Sequence, residues 1–241
     1  MIRETSLLPP FIPLRGHANW ANGLLLADMG VAWVAVGVRL AELRLLMRAT
    51  SGNAVAPIER AAQFTANEWL ATFQVVLFIA TAVTFLAWLL QARVNVRALG
   101  VRRPTFGREW AVLAFVVPVV NFFRPYQVVR EIWQASDASN LDAFNWKSLP
   151  VSPLVPLWWG FFLGFLGLAS LSWLTGLGAG VSLAKLQLTT VLAVGAHLLA
   201  GCAAGTAYFV VTRISDAQER KYARQLASAE EKPEWAEEQP G

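Results

Sequence analysis

The sequence predicts an all-α, polytopic integral membrane protein, and three observations carry that prediction. Hydrophobic residues make up 56% of the 241 residues, and charged residues make up only 15%, where a soluble globular domain carries about 25% charge. The mean hydropathy is +0.45. Several uncharged runs are long enough to cross a bilayer, for which about 20 helical residues suffice. Since a soluble core of this size cannot hide so much apolar surface, we expect much of it to face lipid.

Four transmembrane helices are predicted, and their approximate bounds are 23–47, 69–92, 155–175 and 188–212. The second lies in the uncharged run between Glu68 and Arg93, and the last two lie on either side of Lys185. A charge at the bilayer centre costs roughly 2.5–3.5 kcal/mol on insertion scales, so runs without charges mark the spans.

The first predicted span is less uniform than the others. It contains Asp28 and, towards its end, Arg39 and Glu42. Arg39 and Glu42 are three residues apart and can pair on a helix, which partly neutralises both charges. We therefore predict a span whose far end emerges early into the headgroups. Residues 1–22 before it are predicted to be a cytoplasmic, proline-broken segment.

Arginine-rich segments predict the orientation through the positive-inside rule. One such segment follows the second span and another follows the fourth, whereas the connection between the third and fourth spans carries only Lys185. The basic residues of the two segments are Arg93, Arg97, Arg102, Arg103 and Arg108, then Arg213, Arg220, Lys221 and Arg224. Four spans place both segments, and with them both termini, on the cytoplasmic side.

Residues 110–123, WAVLAFVVPVVNFF, are apolar but short for a span, and Pro118 removes a backbone hydrogen bond in their middle. A fifth span here would place Arg124, Arg130 and the basic segment after the last span outside. A re-entrant or kinked segment keeps all of that charge inside, and we favour it for this reason.

An amphipathic helix is predicted at residues 125–136. Tyr126, Val129 and Trp133 share one helical face opposite Arg130 and Glu131, which is typical of a helix lying in the cytoplasmic membrane interface.

After the fourth span, residues 213–241 are predicted to form a short, solvated cytoplasmic helix followed by an acidic, disordered tail. Asp216 and Arg220 are four residues apart in an alanine-rich stretch, which favours the helix. From Glu230 onward the chain turns acidic and contains two prolines, Pro233 and Pro240.

A set of short motifs recurs between the second and third spans. An R-x-N-x-R-A-L-G run precedes a tryptophan, then a Pro-x-x-Asn, then a Pro-Tyr that opens the amphipathic helix, and Trp158 and Trp159 open the third span. The motif positions are Arg93, Asn95, Arg97, Gly100, Trp110, Pro118, Asn121, Pro125 and Tyr126. Over roughly residues 15–212 the chain resembles a bacterial membrane family known as domain of unknown function 4328. The resemblance implies this architecture and a location in the bacterial cytoplasmic membrane, and it brings no activity, substrate or cofactor.

The sequence offers no recognisable chemistry for catalysis. Two histidines and the single Cys202 cannot form a zinc site, and no nucleophile elbow, phosphate loop or metalloprotease motif is present. We expect no catalytic residue, no metal, no cofactor and no enzyme activity. The pI near 9.6 does not by itself indicate nucleic-acid binding, because no recognition motif accompanies the positive charge.

Two functions remain open. The first is a non-enzymatic scaffold or regulatory subunit that binds anionic lipid or a partner membrane protein. Its site comprises the motif residues with Arg124, as lipid-phosphate ligands or as a structural motif, with the Pro118 bend and Asn121 closing a headgroup pocket. The second is a small transporter or channel component that uses the intramembrane residues Asp28 and His197 with Asn121.

Two pairs of glycines in predicted spans offer faces for helix packing. Gly160 and Gly164 lie four residues apart in the third span, as do Gly201 and Gly205 in the fourth. Small residues at this spacing let helices approach closely. The partner helix belongs either to the same chain or to another copy or a partner membrane protein, and the sequence leaves this choice open.

Overall fold

The computed structural model describes residues 10–139, 145–177 and 182–230, and these contain helices and no strand. The six α-helices are α1 (Arg15–Thr50), α2 (Pro57–Ala98), α3 (Trp110–Val116), α4 (Arg124–Ala135), α5 (Leu154–Gly176) and α6 (Leu183–Glu230). Two 3₁₀ turns, Val120–Phe122 and Asn145–Ser148, flank α4. The all-α prediction is confirmed. The predicted acidic tail after Glu230 lies outside the described residues.

Four of these helices, α1, α2, α5 and α6, are long and apolar enough to cross a membrane. The chain is therefore a multi-pass membrane protein, as predicted. The 23 residues of α5 rise about 35 Å, close to the ~30 Å hydrocarbon layer. The other three helices contain 36, 42 and 48 residues and are longer than a span requires. Each predicted span lies inside one of the four helices, and where the bilayer ends along each helix stays a prediction.

The chain divides into two compact units. One, called here the apolar unit, comprises described residues within 21–84 and 153–210. Its helices meet at glycines: a Cβ at Gly201 would lie 3.6 Å from the Cβ of Ala32, and one at Gly205 would lie 3.2 Å from the Sδ of Met29. A Cβ at Gly164 would lie 2.9 Å from Leu199. These three glycines therefore serve packing within one chain. A Cβ at Gly160 would meet nothing within 4 Å.

The other unit, called here the basic unit, comprises described residues within 10–20, 85–152 and 211–230. Its largest fully buried side chains include Trp88, Trp146 and Ile132. The indole N–H of Trp88 donates to the hydroxyl of Ser215 at 3.0 Å. Ser215 belongs to the end of α6, which is a packed part of this unit.

The prediction of a short, solvated helix after residue 212 is wrong. α6 continues without a break to Glu230, and Ile214, Gln218 and Lys221 are at most 1% exposed. The alanine-rich pattern predicted the helix correctly. The sequence did not indicate that one face of the helix lies against other elements, because polar residues occupy much of that face.

The chain breaks at Pro118. α3 ends at Val116 after seven residues, a rise of about 10 Å that is too short to cross the hydrocarbon layer. Val119 has φ 66°, and the N–H of Val120 donates to the carbonyl of Pro118 at 2.8 Å. This is a γ-turn of the rare, positive-φ kind, which is strained for a β-branched residue. Whether the turn enters the bilayer stays a prediction.

α4 occupies the place of the predicted interfacial helix, but its faces differ from the prediction. Val128, Val129 and Ile132 are fully buried, as an amphipathic helix requires. Glu131 is also buried, at 6% exposure, although we expected it on the solvent side with Arg130. The carboxylate is stable there because it has cationic and backbone partners, described next.

Candidate functional site

A buried ion pair lies at the centre of the basic unit. Nη2 of Arg93 lies 3.4 Å from Oε1 of Glu131, and the two side chains are 2% and 7% exposed. The carboxylate also accepts hydrogen bonds from the backbone N–H groups of Thr105 at 2.9 Å and Phe106 at 3.2 Å. Arg93 thus joins the end of α2 to α4 and to the loop before α3. Of the two roles that the sequence left open for Arg93, this geometry favours the structural one.

Asn95 also has a structural position. Its side chain is fully buried, its amide donates to the carbonyl of Ile12 at 2.8 Å, and its Oδ1 accepts the N–H of Ile12 at 3.2 Å. The side chain therefore pairs with Ile12 as a second backbone strand would. This pairing holds the segment before α1 against α2.

Gly100 ends α2 in a Schellman motif. Its φ is +71°, and its N–H donates to the carbonyl of Arg97 at 3.0 Å. The N–H of Val101 donates to the carbonyl of Val96 at 3.3 Å. Only glycine adopts this conformation without steric cost, which explains the residue at the end of the R-x-N-x-R-A-L-G run.

Arg124, at the start of α4, is held by aromatic rings. Its guanidinium lies 5.3 Å from the ring centre of Phe106 and 5.4 Å from that of Trp110, and Nη1 donates to Oε1 of Gln127 at 2.9 Å. Such cation–π contacts orient a guanidinium without neutralising its charge. Pro125 is buried in the first turn of α4, where its missing N–H costs nothing.

Beside these residues lies a cavity of about 340 Å³. Its walls are one face of α4, the loop at Thr105 and Phe106, and the 3₁₀ turn at Trp146. The lining residues are Thr105, Phe106, Arg124, Gln127, Arg130, Glu131, Gln134, Trp146 and Lys147. Of the predicted site residues, only Arg124 lines this cavity. Pro118 and Asn121, which we expected to close a pocket, are not among the lining residues, and neither are Arg93, Asn95 and Arg97.

Hydrogen bonds fix the 3₁₀ turn against α4. The amide of Gln134 donates to the carbonyls of Lys147 at 2.9 Å and Leu149 at 2.7 Å. The indole N–H of Trp146 donates to the carbonyl of Arg102 at 3.2 Å. Lys147 donates from Nζ to the hydroxyl of Thr105 at 3.1 Å. The cavity is therefore preformed.

The sequence prediction missed the residues that α4 and the turn contribute to this cavity. The sequence did contain a pattern for these residues. Arg130 and Gln134 follow Gln127 by three and seven residues, so all three share a helical face. This face of α4 forms a site only together with Trp146 and Lys147, which follow it in the sequence and line the same cavity.

Lys221 has an unusual environment for a lysine. It is 1% exposed, and its Nζ donates to the carbonyl of Ala135, the last residue of α4, at 2.9 Å. Burial lowers the pKa of the amine, and the nearby Asp137 carboxylate acts in the opposite direction. Lys221 lies nine residues beyond the end of the predicted fourth span.

Asp28 and His197, the ionisable residues of the predicted spans, are not brought together. Nδ1 of His197 lies 3.4 Å from Nε2 of Gln74. The contacts of Gly205 with Met29 and of Gly201 with Ala32 place His197 about nine residues along α1 from Asp28, roughly 13 Å at 1.5 Å per residue. Among the described residues, no three His, Cys, Asp or Glu side chains form a group that could hold a metal ion.

A family model described as "Domain of unknown function (DUF4328)" matches residues 51–216. The match covers more than half of the chain and contains every motif on which the resemblance was based, from Arg93 to Trp159. No curated protein and no solved structure matches the chain.

Proposed function

The chain belongs to the domain of unknown function 4328 family, and on that premise we propose that it is a non-enzymatic membrane scaffold or regulatory subunit that binds anionic lipid headgroups through its basic unit. The proposal places the basic loops on the cytoplasmic side of a bacterial cell membrane. It assigns headgroup contact to the exposed arginines of that unit. The residues of the R-x-N-x-R-A-L-G run that are buried have no part in that contact.

The observation that carries the proposal is a set of exposed guanidinium groups without acidic partners. Arg97, Arg103, Arg108 and Arg130 are exposed, and among the described residues none of them pairs with a carboxylate. An unpaired arginine has its full charge and its planar fork of donors available for phosphate. Each basic residue near an anionic membrane surface contributes about 1 kcal/mol.

The segment between Arg108 and Arg124 supports the same function. Val116, Val119, Phe122 and Phe123 expose more than half of their surface around the Pro118 turn. Apolar side chains next to unpaired arginines favour the boundary between acyl chains and headgroups, where both find suitable partners.

Lipid retention tests this function. The wild-type chain and the variant Arg97→Gln/Arg103→Gln/Arg108→Gln would be purified in mild detergent from membranes containing phosphatidylglycerol and phosphatidylethanolamine, and co-purified lipid would be measured by mass spectrometry. We expect the variant to lose at least about fivefold of its retained phosphatidylglycerol relative to phosphatidylethanolamine, since three surface charges are removed.

The matched control is Arg44→Gln/Arg48→Gln/Arg60→Gln, which removes the same charge from the apolar unit. This control should retain the wild-type lipid ratio. Equal losses in both variants, or no loss in either, would overturn the proposal, and retention of a specific partner protein in place of lipid would redirect it to the scaffold role alone.

A transporter or channel component has less support. Its two intramembrane ionisable residues, Asp28 and His197, lie roughly 13 Å apart along the helices, which is too far for direct proton transfer. A coupled flux in liposomes that Asp28→Asn abolishes would revive this function.

A further inference from the structure

We propose that the cavity beside α4 binds a phosphomonoester group. Such a group has two sources, an anionic lipid and a soluble phosphorylated molecule. The inference rests on the proposed function only for the lipid source. The shared chemistry is a dianionic phosphate with three unesterified oxygens.

Three cationic side chains line this one cavity: Arg124, Arg130 and Lys147. Arg124 is oriented by Phe106 and Trp110, and Lys147 lies 5.2 Å from the ring centre of Trp146. Cations fixed over aromatic rings lose little side-chain entropy when an anion binds. Arg130 has no acceptor among the described residues, so its donors are available to a ligand.

The single carboxylate of the lining, Glu131, does not cancel this charge. Its Oε2 accepts the N–H of Thr105 and its Oε1 accepts that of Phe106, while Arg93 pairs with it from the interior. Only 6% of the residue is exposed. The charge of Glu131 is therefore already balanced within the protein, and the cavity stays cationic.

Size and charge together favour a phosphomonoester. A volume of about 340 Å³ falls at the lower end of the ~300–1,000 Å³ range of small-molecule sites, which suits a phosphorylated headgroup or a small soluble phosphate. A phosphomonoester carries close to two negative charges at neutral pH and presents three strong acceptors, which three cations can match. A phosphodiester carries one charge and two open oxygens.

Native mass spectrometry of the detergent-solubilised full chain tests this site, with dioleoyl phosphatidic acid as the monoester probe and dioleoyl phosphatidylglycerol as the diester probe. At about pH 8, where the monoester is a dianion, the wild type should bind phosphatidic acid about tenfold more tightly. In Arg130→Gln/Lys147→Gln this preference should fall to less than about twofold, because charge-assisted hydrogen bonds are lost.

The matched control is Arg103→Gln/Arg108→Gln, which removes two arginines that do not line the cavity. It should weaken both lipids equally and keep the monoester preference. Calorimetry with glycerol 3-phosphate distinguishes the source. Binding that Arg130→Gln/Lys147→Gln abolishes supports a soluble phosphomonoester, and no binding beside a retained phosphatidic acid preference supports the lipid.

The proposal is overturned if the wild type shows no monoester preference and no binding of glycerol 3-phosphate, or if Arg130→Gln/Lys147→Gln leaves both unchanged. That result is distinguishable from failure of the proposed function. Retention of phosphatidylglycerol can depend on Arg97, Arg103 and Arg108 even if the cavity binds no phosphomonoester.

Discussion

Arg93 and Arg97 lie one helical turn apart on α2, and their surroundings are opposite. Arg93 is 2% exposed and pairs with Glu131, whereas Arg97 is exposed and has no acidic partner among the described residues. Residues four apart share a helical face, so the sequence predicts the same role for both. The loop at Thr105 and the helix α4 cover one of them and leave the other in solvent.

This difference predicts unequal losses of stability. Arg93→Met should lower the free energy of unfolding by about 3–5 kcal/mol, because it leaves the Glu131 carboxylate buried without its counter-charge. Arg97→Met should change it by less than about 0.5 kcal/mol, as is usual for a surface position. Unfolding in mixed micelles of rising dodecyl sulfate content, followed by tryptophan fluorescence, measures both.

Similar losses for the two variants would show that Arg93 is not buried with Glu131 in the folded protein. The double variant Arg93→Met/Glu131→Met provides a further check. It should recover part of the stability lost in Arg93→Met, because no unpaired charge then remains inside.

At the scale of elements, the end of α6 supplies donors to the ends of other helices. The last carbonyls of an α-helix have no donor within the helix. Lys221 donates to the carbonyl of Ala135 at the end of α4, and Gln225 donates to that of Leu99 just after α2 at 2.9 Å. Gln218 donates to Ala92 and to Ser136. The donor groups of polar residues that resemble a solvated helix in the sequence thus find acceptors inside the basic unit.

We therefore expect Lys221→Met to be destabilising although methionine is apolar and of similar length. It should lower the free energy of unfolding by about 1–3 kcal/mol, since a buried carbonyl loses its donor. The exposed neighbour Arg220→Met is the control and should be within about 0.5 kcal/mol of the wild type. The same micelle titration measures both, and a neutral Lys221→Met would show that water reaches Ala135.

At the scale of the whole molecule, the distribution of arginines predicts which loops share a side of the membrane. Ten described arginines lie between Arg93 and Arg130 or late in α6, while the connection from α5 and the first turn of α6 carry Lys185 alone among the described residues. The four arginines at the end of α1 and the start of α2, which are Arg39, Arg44, Arg48 and Arg60, lie on the opposite side in this topology. Four spans put the arginine-rich segments on one side, and the positive-inside rule names that side as the cytoplasm.

Cysteine labelling in intact cells tests this topology because Cys202 is unique. In a Cys202→Ala background, Thr105→Cys and Ser228→Cys should react with a membrane-impermeant maleimide only after the cells are opened. Ser182→Cys should react in intact cells. All three positions are exposed, so a missing signal reports sidedness. Labelling of Ser228→Cys from outside would instead support five spans.

The sequence by itself determined the fold class and the four helices that are long and apolar enough to cross a membrane, because both depend on runs of local hydropathy that no later contact can change. It also identified the family and indicated that residues 110–123 break at Pro118. Only the tertiary structure decided which polar residues are buried. Glu131, Lys221 and Gln218 look solvent-exposed from local pattern, and Trp146 with Lys147 is far in sequence from Arg130. The physical reason is that a polar side chain is buried wherever a distant element supplies its hydrogen-bond partner, and that pairing is a property of the folded chain.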